Sequence, residues 1–225
     1  MSVQALPDES LEKADVLLSL KAAGKGKVCV SLQNQGNVIF TEERDLEERF
    51  TMKKEICHPR LWSAETPDLY DLVLEIFDEC DKLQECICEK VGFRRFEIKD
   101  SVMCINGKRI VFCGVNRHEF SSIGGRQISE EELKKDLTTM KRHNINAIRT
   151  SHYPNASMLY RLCDLYGIYL IDEMNMETHG TWEKLSGVKG YDMVIPNDHT
   201  VWQGALLERA ASMYERDKNH PSVLI

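Results

Sequence analysis

Asn146-Ala147-Ile148-Arg149-Thr150-Ser151-His152-Tyr153-Pro154 is the stretch from which the fold can be read outward. It opens as a short strand, Asn146 to Thr150, and then turns polar. Asn155 to Tyr166 follows with Met158, Leu159, Leu162 and Leu165 on one helical face, and Gly167 ends that helix. Ile168 to Asp172 is a continuous apolar run, as a strand buried on both faces requires. A strand, a crossover helix and a second buried strand make one parallel βα unit.

The pattern repeats on both sides. Upstream, Glu130 to His143 carries Leu133, Leu137 and Met140 on an otherwise charged surface, with Ser129 as N-cap and Glu132 completing a capping box. Before it, Phe96 to Ile98 and Met103 to Ile105 flank Asp100 and Ser101, Asn106-Gly107 makes a second tight turn, and Arg109 to Val115 reads as a strand. Downstream, Val201 to Lys218 reads as a long helix and Pro221 to Ile225 as the start of another strand. A closed eightfold barrel typically takes ~250 residues. An open doubly wound sheet needs fewer, but no glycine-rich phosphate loop marks the first crossover. The run Val223-Leu224-Ile225 ends the chain inside an apolar segment. Residues 97–225 therefore read as a series of parallel βα units, and the chain ends inside a strand.

Residues 1–96 have a different period. Ala14 to Leu20, Lys27 to Leu32, Asn37 to Thr41, Asp71 to Phe77 and Glu85 to Val91 read as strands, with hairpin connections at Gly24-Lys25-Gly26 and Asn34-Gln35-Gly36-Asn37. Glu42 to Arg49 reads equally as a helical turn or a solvated loop. Strands at this spacing suggest a β-sandwich, with Trp62 in its core and its first strand either present here or cut away.

Composition narrows the function classes. A hydrophobic share of 42% with 29% charged residues fits a folded soluble chain, and a net charge of -7 leaves no excess of cations for nucleic acid. No apolar run approaches the ~20 residues a membrane span needs. Met1 to Lys13 carries Asp8, Glu9 and Glu12 where an export signal would want an apolar core, so the expectation is a cytoplasmic protein with no membrane partner. The 8 cysteines form no CxxC pair and read as small apolar residues in reduced strands, not as a zinc site.

Three strand ends finish in polar, ring-bearing clusters, where βα repeats collect functional groups. They are Gly114-Val115-Asn116-Arg117-His118-Glu119, Arg149-Thr150-Ser151-His152-Tyr153-Pro154, and Asp172-Glu173-Met174-Asn175-Met176-Glu177-Thr178-His179-Gly180. Singly, each also reads as a helix start or a satisfied core histidine. With Asn146 to Pro154 continuing through Leu159-Tyr160, Asp164 and Gly167 to Ile171, the chain resembles glycoside hydrolase family two. Pro59-Arg60-Leu61-Trp62-Ser63, with Pro67, Leu69 and Tyr70 and then Val91-Gly92-Phe93-Arg94, is similar to that family's immunoglobulin-like domain, and Asn106-Gly107-Lys108 to the start of its barrel. The resemblance implies an immunoglobulin-like β-sandwich over residues 1–96 and, over residues 97–225, the N-terminal part of a TIM (β/α)8 barrel truncated at its fourth strand.

Within the family, Glu177-Thr178-His179-Gly180 resembles the β-galactosidase branch. That resemblance implies retaining hydrolysis of terminal β-D-galactosides through two glutamates, both of which it places beyond residue 225. No residue here is then assigned as catalytic, and the chain alone is expected to be inactive. His118 and His152 match positions lining the sugar subsite, and Arg149 matches an arginine beside the nucleophile. Glu177 and His179 match metal ligands. Residues two apart in an extended segment face one side, and a carboxylate with an imidazole suits Mg²⁺, with Mn²⁺ as the alternative; a solvated loop with an incidental histidine is the competing reading. Asn116 and Glu119 read as shaping the strand end, and His58, His143, His199 and His220 as surface or packing residues. Trp182 and Trp202 read as packing or sugar-stacking surfaces. The parent is expected to be a homo-oligomer, and this chain to self-associate through an open sheet edge. A non-catalytic carbohydrate-binding or interaction module, and a β-glucuronidase or β-mannosidase fragment, remain as alternatives.

Overall fold

A computed structural model describes residues 1–177 and 200–225. The first half is all strand: β1 (Ser2–Pro7), β2 (Lys13–Lys21), β3 (Gly26–Asn34), β4 (Asn37–Asp45), β5 (Arg49–Cys57), β6 (Tyr70–Asp78) and β7 (Leu83–Val91). They form two antiparallel sheets, β1-β2-β5 and β4-β3-β6-β7. Apolar side chains alternate inward from both: Val16, Leu18 and Leu20 of β2 and Phe50 and Met52 of β5 meet Val28, Val30 and Leu32 of β3 and Leu72 and Leu74 of β6. This is the expected sandwich.

Two sequence expectations change here. Gly24 to Gly26 is not a hairpin, because β2 and β3 lie in different sheets. Those glycines carry the chain across the sandwich, and a Cβ on Gly26 would sit 1.9 Å from the Phe77 carbonyl oxygen. The Asn34–Asn37 hairpin does form, with Gln35 and Gly36 at φ 50° and 81°. Glu42 to Arg49 splits among the end of β4, a three-residue loop and the first residue of β5.

A hairpin of β8 (Phe96–Lys99), β9 (Val102–Ile105) and the short β10 (Lys108–Arg109) leads to the second half. Both of its turns use paired positive-φ residues, Asp100-Ser101 and Asn106-Gly107. The strand expected over Arg109 to Val115 is broken. Ile110 and Phe112 pack against Trp62 and Tyr169 instead, and Asn146 takes the place of a ladder partner, accepting from the Cys113 N–H at 2.9 Å and donating to the Val111 carbonyl at 2.9 Å.

Then come β11 (Gly114–Arg117), α1 (Glu130–Arg142), β12 (Ala147–Thr150), α2 (Ser157–Tyr166), β13 (Tyr169–Ile171), a 3-10 turn at Thr200–Trp202, and α3 (Gln203–Asp217). The strands are parallel in the order β11-β12-β13, and Val223 adds a parallel bridge to Leu170. The capping box of Ser129 and Glu132 opens α1, and Gly167 closes α2 in the left-handed conformation. Val115, Ile148 and Leu170 face the helices and join Leu133, Leu137, Leu159 and Leu162 in one core.

Sandwich and β/α layer meet in a third core. Trp62 lies there, fully buried with Ala64, Ile105, Ala147 and Tyr169, and not in the sandwich core. Its indole donates to the Asp164 carbonyl at 2.9 Å. Arg94 bridges the same seam, donating to the carbonyls of Pro221 (2.5 Å) and Val223 (2.7 Å). Burial lowers the Arg94 pKa to about 10, which still leaves it charged at neutral pH. Five of the cysteines are exposed, so the small-apolar reading holds only for Cys104 and Cys163, with Cys29 between. His220, expected as a surface or packing residue, is half of a buried ion pair with Asp164, Nδ1 to Oδ2 2.5 Å.

Candidate active-site rim

The strand register sorts the polar side chains. Asn116 lies opposite Arg149, and Arg149 opposite Ile171. Residues two apart share a face, so Asn116, Arg149 and, two beyond Ile171, Glu173 project away from the helices. Arg117, Thr150 and Asp172 project toward them.

On the helix side the polar groups are closed into networks. Arg117 is buried and donates to Asp136 (3.1 Å) and Asn155 (2.9 Å), tying β11 to α1 and to the segment before α2. Asp172 Oδ1 accepts from the Tyr160 hydroxyl at 2.6 Å and the Thr150 hydroxyl at 3.1 Å. Burial pushes the Asp172 carboxyl well above its ordinary range; the Tyr160 hydroxyl opposes this and the neighbouring Asp217 adds to it. Asp217 is itself clamped by Arg216 through two contacts of 2.7 and 2.8 Å.

On the other side the polar groups cluster, partly exposed, at the strand ends. Arg149 Nε lies 2.8 Å from Glu173 Oε2, and its Nη1 reaches Asn116 Oδ1 at 3.4 Å. His152 Nδ1 lies 2.7 Å from Glu173 Oε1. The His118 ring stands edge-on to His152, centroids 5.7 Å apart, and 6.1 Å from the Tyr153 ring. Glu177 Oε1 lies 3.6 Å from His152 Nε2, too long for a hydrogen bond. Glu119, as expected, shapes the strand end: both of its carboxylate oxygens accept from the Ala156 N–H at the start of α2 (3.1 and 3.0 Å).

The structure thus brings His118, Arg149, His152 and Glu177 to one rim beyond the C-terminal ends of three adjacent strands. His179, Trp182 and His199 lie outside the described residues. Trp202 is exposed in the 3-10 turn. Glu173 stood in the third polar cluster of the sequence without a stated role of its own. Its signal is only that it stands two positions past Ile171, on the Arg149 face. Among the described residues no group of three or more His, Cys, Asp or Glu has a metal-holding geometry, and Glu177 is the one described member of the expected metal pair.

The chain joins an antiparallel sandwich to parallel strand–helix units with a polar rim, and comparison with known proteins assigns that architecture to a family. Residues 96–225 match the model for "Glycosyl hydrolases family 2, TIM barrel domain", and residues 3–94 match "Glycosyl hydrolases family 2". The chain belongs to glycosyl hydrolases family 2. It is 48% identical over 231 residues to a β-galactosidase of Halalkalibacterium halodurans, covering 100% of this chain and 23% of that protein. It is 58% identical over 164 residues to a β-galactosidase of Streptococcus thermophilus, covering 73% of this chain and 16% of that protein. Among solved structures, the β-D-glucuronidase of Dictyoglomus thermophilum superposes with a TM-score of 0.82 at 25% identity, covering 99% of this chain and 36% of the other. The chain spans less than a quarter of the length of these two β-galactosidases. It comprises the family's immunoglobulin-like sandwich and the first part of its TIM barrel. Among the described residues no helix is long and apolar enough to cross a membrane.

Proposed function

We propose that these residues form part of the sugar site of a retaining β-galactosidase acting on terminal β-D-galactosides. The observation that carries the reading is the convergence of His118, Arg149 and His152 on one half-open rim at the ends of adjacent parallel strands. The identity of 48% to a named β-galactosidase supports the galactoside over other sugars. Imidazole and guanidinium groups there would bind and orient sugar hydroxyls, and such contacts strengthen as positive charge develops on the ring. The two carboxyl groups that carry out retaining hydrolysis stand about 5 Å apart, and none of the residues here is assigned to either role. Glu173 is committed to Arg149 and His152, and Glu177 is assigned to the metal.

Glu177, a hard oxygen donor at the rim, fits a Mg²⁺ site completed by His179, with Mn²⁺ as the alternative. Bound there, the ion would supply positive charge beside the sugar. The unpaired edge of β11 among the described residues supports self-association of the chain.

The test is binding and turnover by the purified 225-residue chain. Galactose, titrated while the histidine resonances are followed by NMR, is expected to perturb His118 and His152, with glucuronic acid weaker. Hydrolysis of a chromogenic galactoside is expected to stay at the level of a matched blank. Stronger binding of glucuronic acid would shift the reading to the β-glucuronidases, the class of solved structure that this chain resembles at 25% identity. Turnover above the blank would overturn the inactivity.

A further inference from the structure

The contacts of His152 conflict unless its proton is placed. Its Nδ1 lies 2.7 Å from Glu173 Oε1 and 3.3 Å from Arg149 Nη2. A guanidinium can only donate and a carboxylate can only accept. If Nδ1 carried a lone pair, it would face the carboxylate oxygen at 2.7 Å with no hydrogen between two electron-rich atoms. If Nδ1 carries the proton, the short contact becomes a charge-assisted hydrogen bond, and the guanidinium is left at the longer distance as a neighbour and not a donor. The distances decide for the proton on Nδ1.

We propose that Glu173 is a positioning residue of the rim: its carboxylate holds the neutral His152 ring as the Nδ1–H tautomer, leaving Nε2 as a hydrogen-bond acceptor facing the sugar site. Two features support this. Glu173 is itself placed, since its backbone N–H donates to the Thr150 hydroxyl at 2.9 Å. Its second oxygen, Oε2, is buried and lies 2.8 Å from Arg149 Nε as an ion-pair contact without hydrogen-bond geometry, so one carboxylate faces both rim residues. A ring held this way accepts a hydrogen bond from a sugar hydroxyl and cannot donate one through Nε2. The rim therefore offers that hydroxyl an acceptor at His152. Glu173 does not touch the sugar in this arrangement and acts through the ring. The same logic governs histidines that bind metals, where a partner on one nitrogen sets the role of the other.

The inference rests on reading this rim as a sugar site, but its test reads the ring alone. In the full 225-residue chain, ¹⁵N-labelled on histidine, the His152 ring signals are assigned by their loss in His152→Gln. At a pH where the ring is neutral, wild type is expected to show the pattern of protonated Nδ1 and unprotonated Nε2. In Glu173→Gln, which keeps the size and loses the charge, the Nδ1–H form is expected to lose its majority to Nε2–H. Glu173→Asp is expected to retain more of it than Glu173→Gln. An unchanged amide spectrum elsewhere shows that the variants remain folded. A wild-type ring protonated on Nε2 overturns the proposal whether or not the variants fold, and so does an Nδ1–H majority that persists in a folded Glu173→Gln. Failure of galactose to bind, with the tautomer as stated, would count against the sugar reading and leave the positioning role intact.

Discussion

The two ends of the same three parallel strands are built on opposite terms. At the N-terminal end, where the sandwich docks, Ala147 and Tyr169 are buried against Trp62, and the Gly167 backbone lies against Ala64 with no room for a side chain. At the C-terminal end, Arg149 and Glu173 hold charge within reach of water, with side-chain exposures of 38% and 22%. One end excludes water and fixes geometry; the other keeps polar groups available. In β/α barrels the first end serves stability and the second serves function. If that division holds here, substitutions at the seam cost folding energy, and substitutions at the rim cost recognition.

The largest effect is expected at the seam. Trp62→Ala removes a fully buried indole and leaves the Asp164 carbonyl without its donor. Truncations of this kind cost about 3–5 kcal/mol, which would unfold much of a marginal chain. Urea unfolding followed by circular dichroism measures it, and a loss under about 1 kcal/mol would put the seam on a par with exposed ion pairs. Gly167→Ala comes next. The position has φ 68°, and the new Cβ would lie 2.4 Å from the Ala64 carbonyl oxygen. Left-handed backbone costs an L-residue about 1–2 kcal/mol, and overpacking adds about 1–3 kcal/mol. The same unfolding experiment reads the sum, and a neutral Gly167→Ala would show that the two domains are not tightly docked.

Acidity separates the two ends without mutation. The buried titrating groups lie behind the seam and beneath the helices, not at the rim. His220 loses some of its charge preference to burial, but the Asp164 carboxylate more than offsets this and raises its pKa. A raised histidine stabilises the fold below its unfolded value of about 6.5 and loses that contribution as pH climbs through the raised one. Asp172 is also raised, chiefly by burial. The folded state therefore holds its proton where the unfolded chain has released it, and stability falls as pH rises above about 4. Both signs agree: Tm is expected to fall from pH 5 to pH 8. His220→Asn should flatten the upper part of that slope. A Tm that rises across this interval would mean that other groups control the linkage.

How far the sequence reaches depends on how local each signal is. The Ser129–Glu132 capping box, the Gly167 helix end and the Asn34–Asn37 turn each lie within four residues of chain, and all three form. The strand β5 went unread because its inward Phe50, Met52 and Ile56 alternate with Lys and Glu, a pattern that also suits a solvated segment. Trp62 looked like sandwich core, since nothing near it in sequence names Asp164, which accepts its indole N–H from 102 residues away. Glu173 was hidden for the same reason. Its partners Arg149 and His152 precede it by more than 20 residues, and only the parallel register puts them on one face. His118, Arg149 and His152 were legible because each sits in a polar cluster just past an apolar strand.

The smallest effect on folding is expected where the proposed function is concentrated. Arg149→Gln removes one member of the Arg149–Glu173 pair. Glu173 then keeps its contact with His152 and its backbone bond to Thr150. Because Arg149 is 38% exposed, water already screens the pair from its side, while the Glu173 Oε2 that faces it is buried. The expected loss is under about 1 kcal/mol, the usual worth of an exposed ion pair, while the galactose-induced shifts at His118 and His152 weaken or vanish. Urea unfolding and the NMR titration on the same sample separate the two outcomes. A loss approaching that of Trp62→Ala would make Arg149 a structural strut, and the rim would then differ from the seam in position alone.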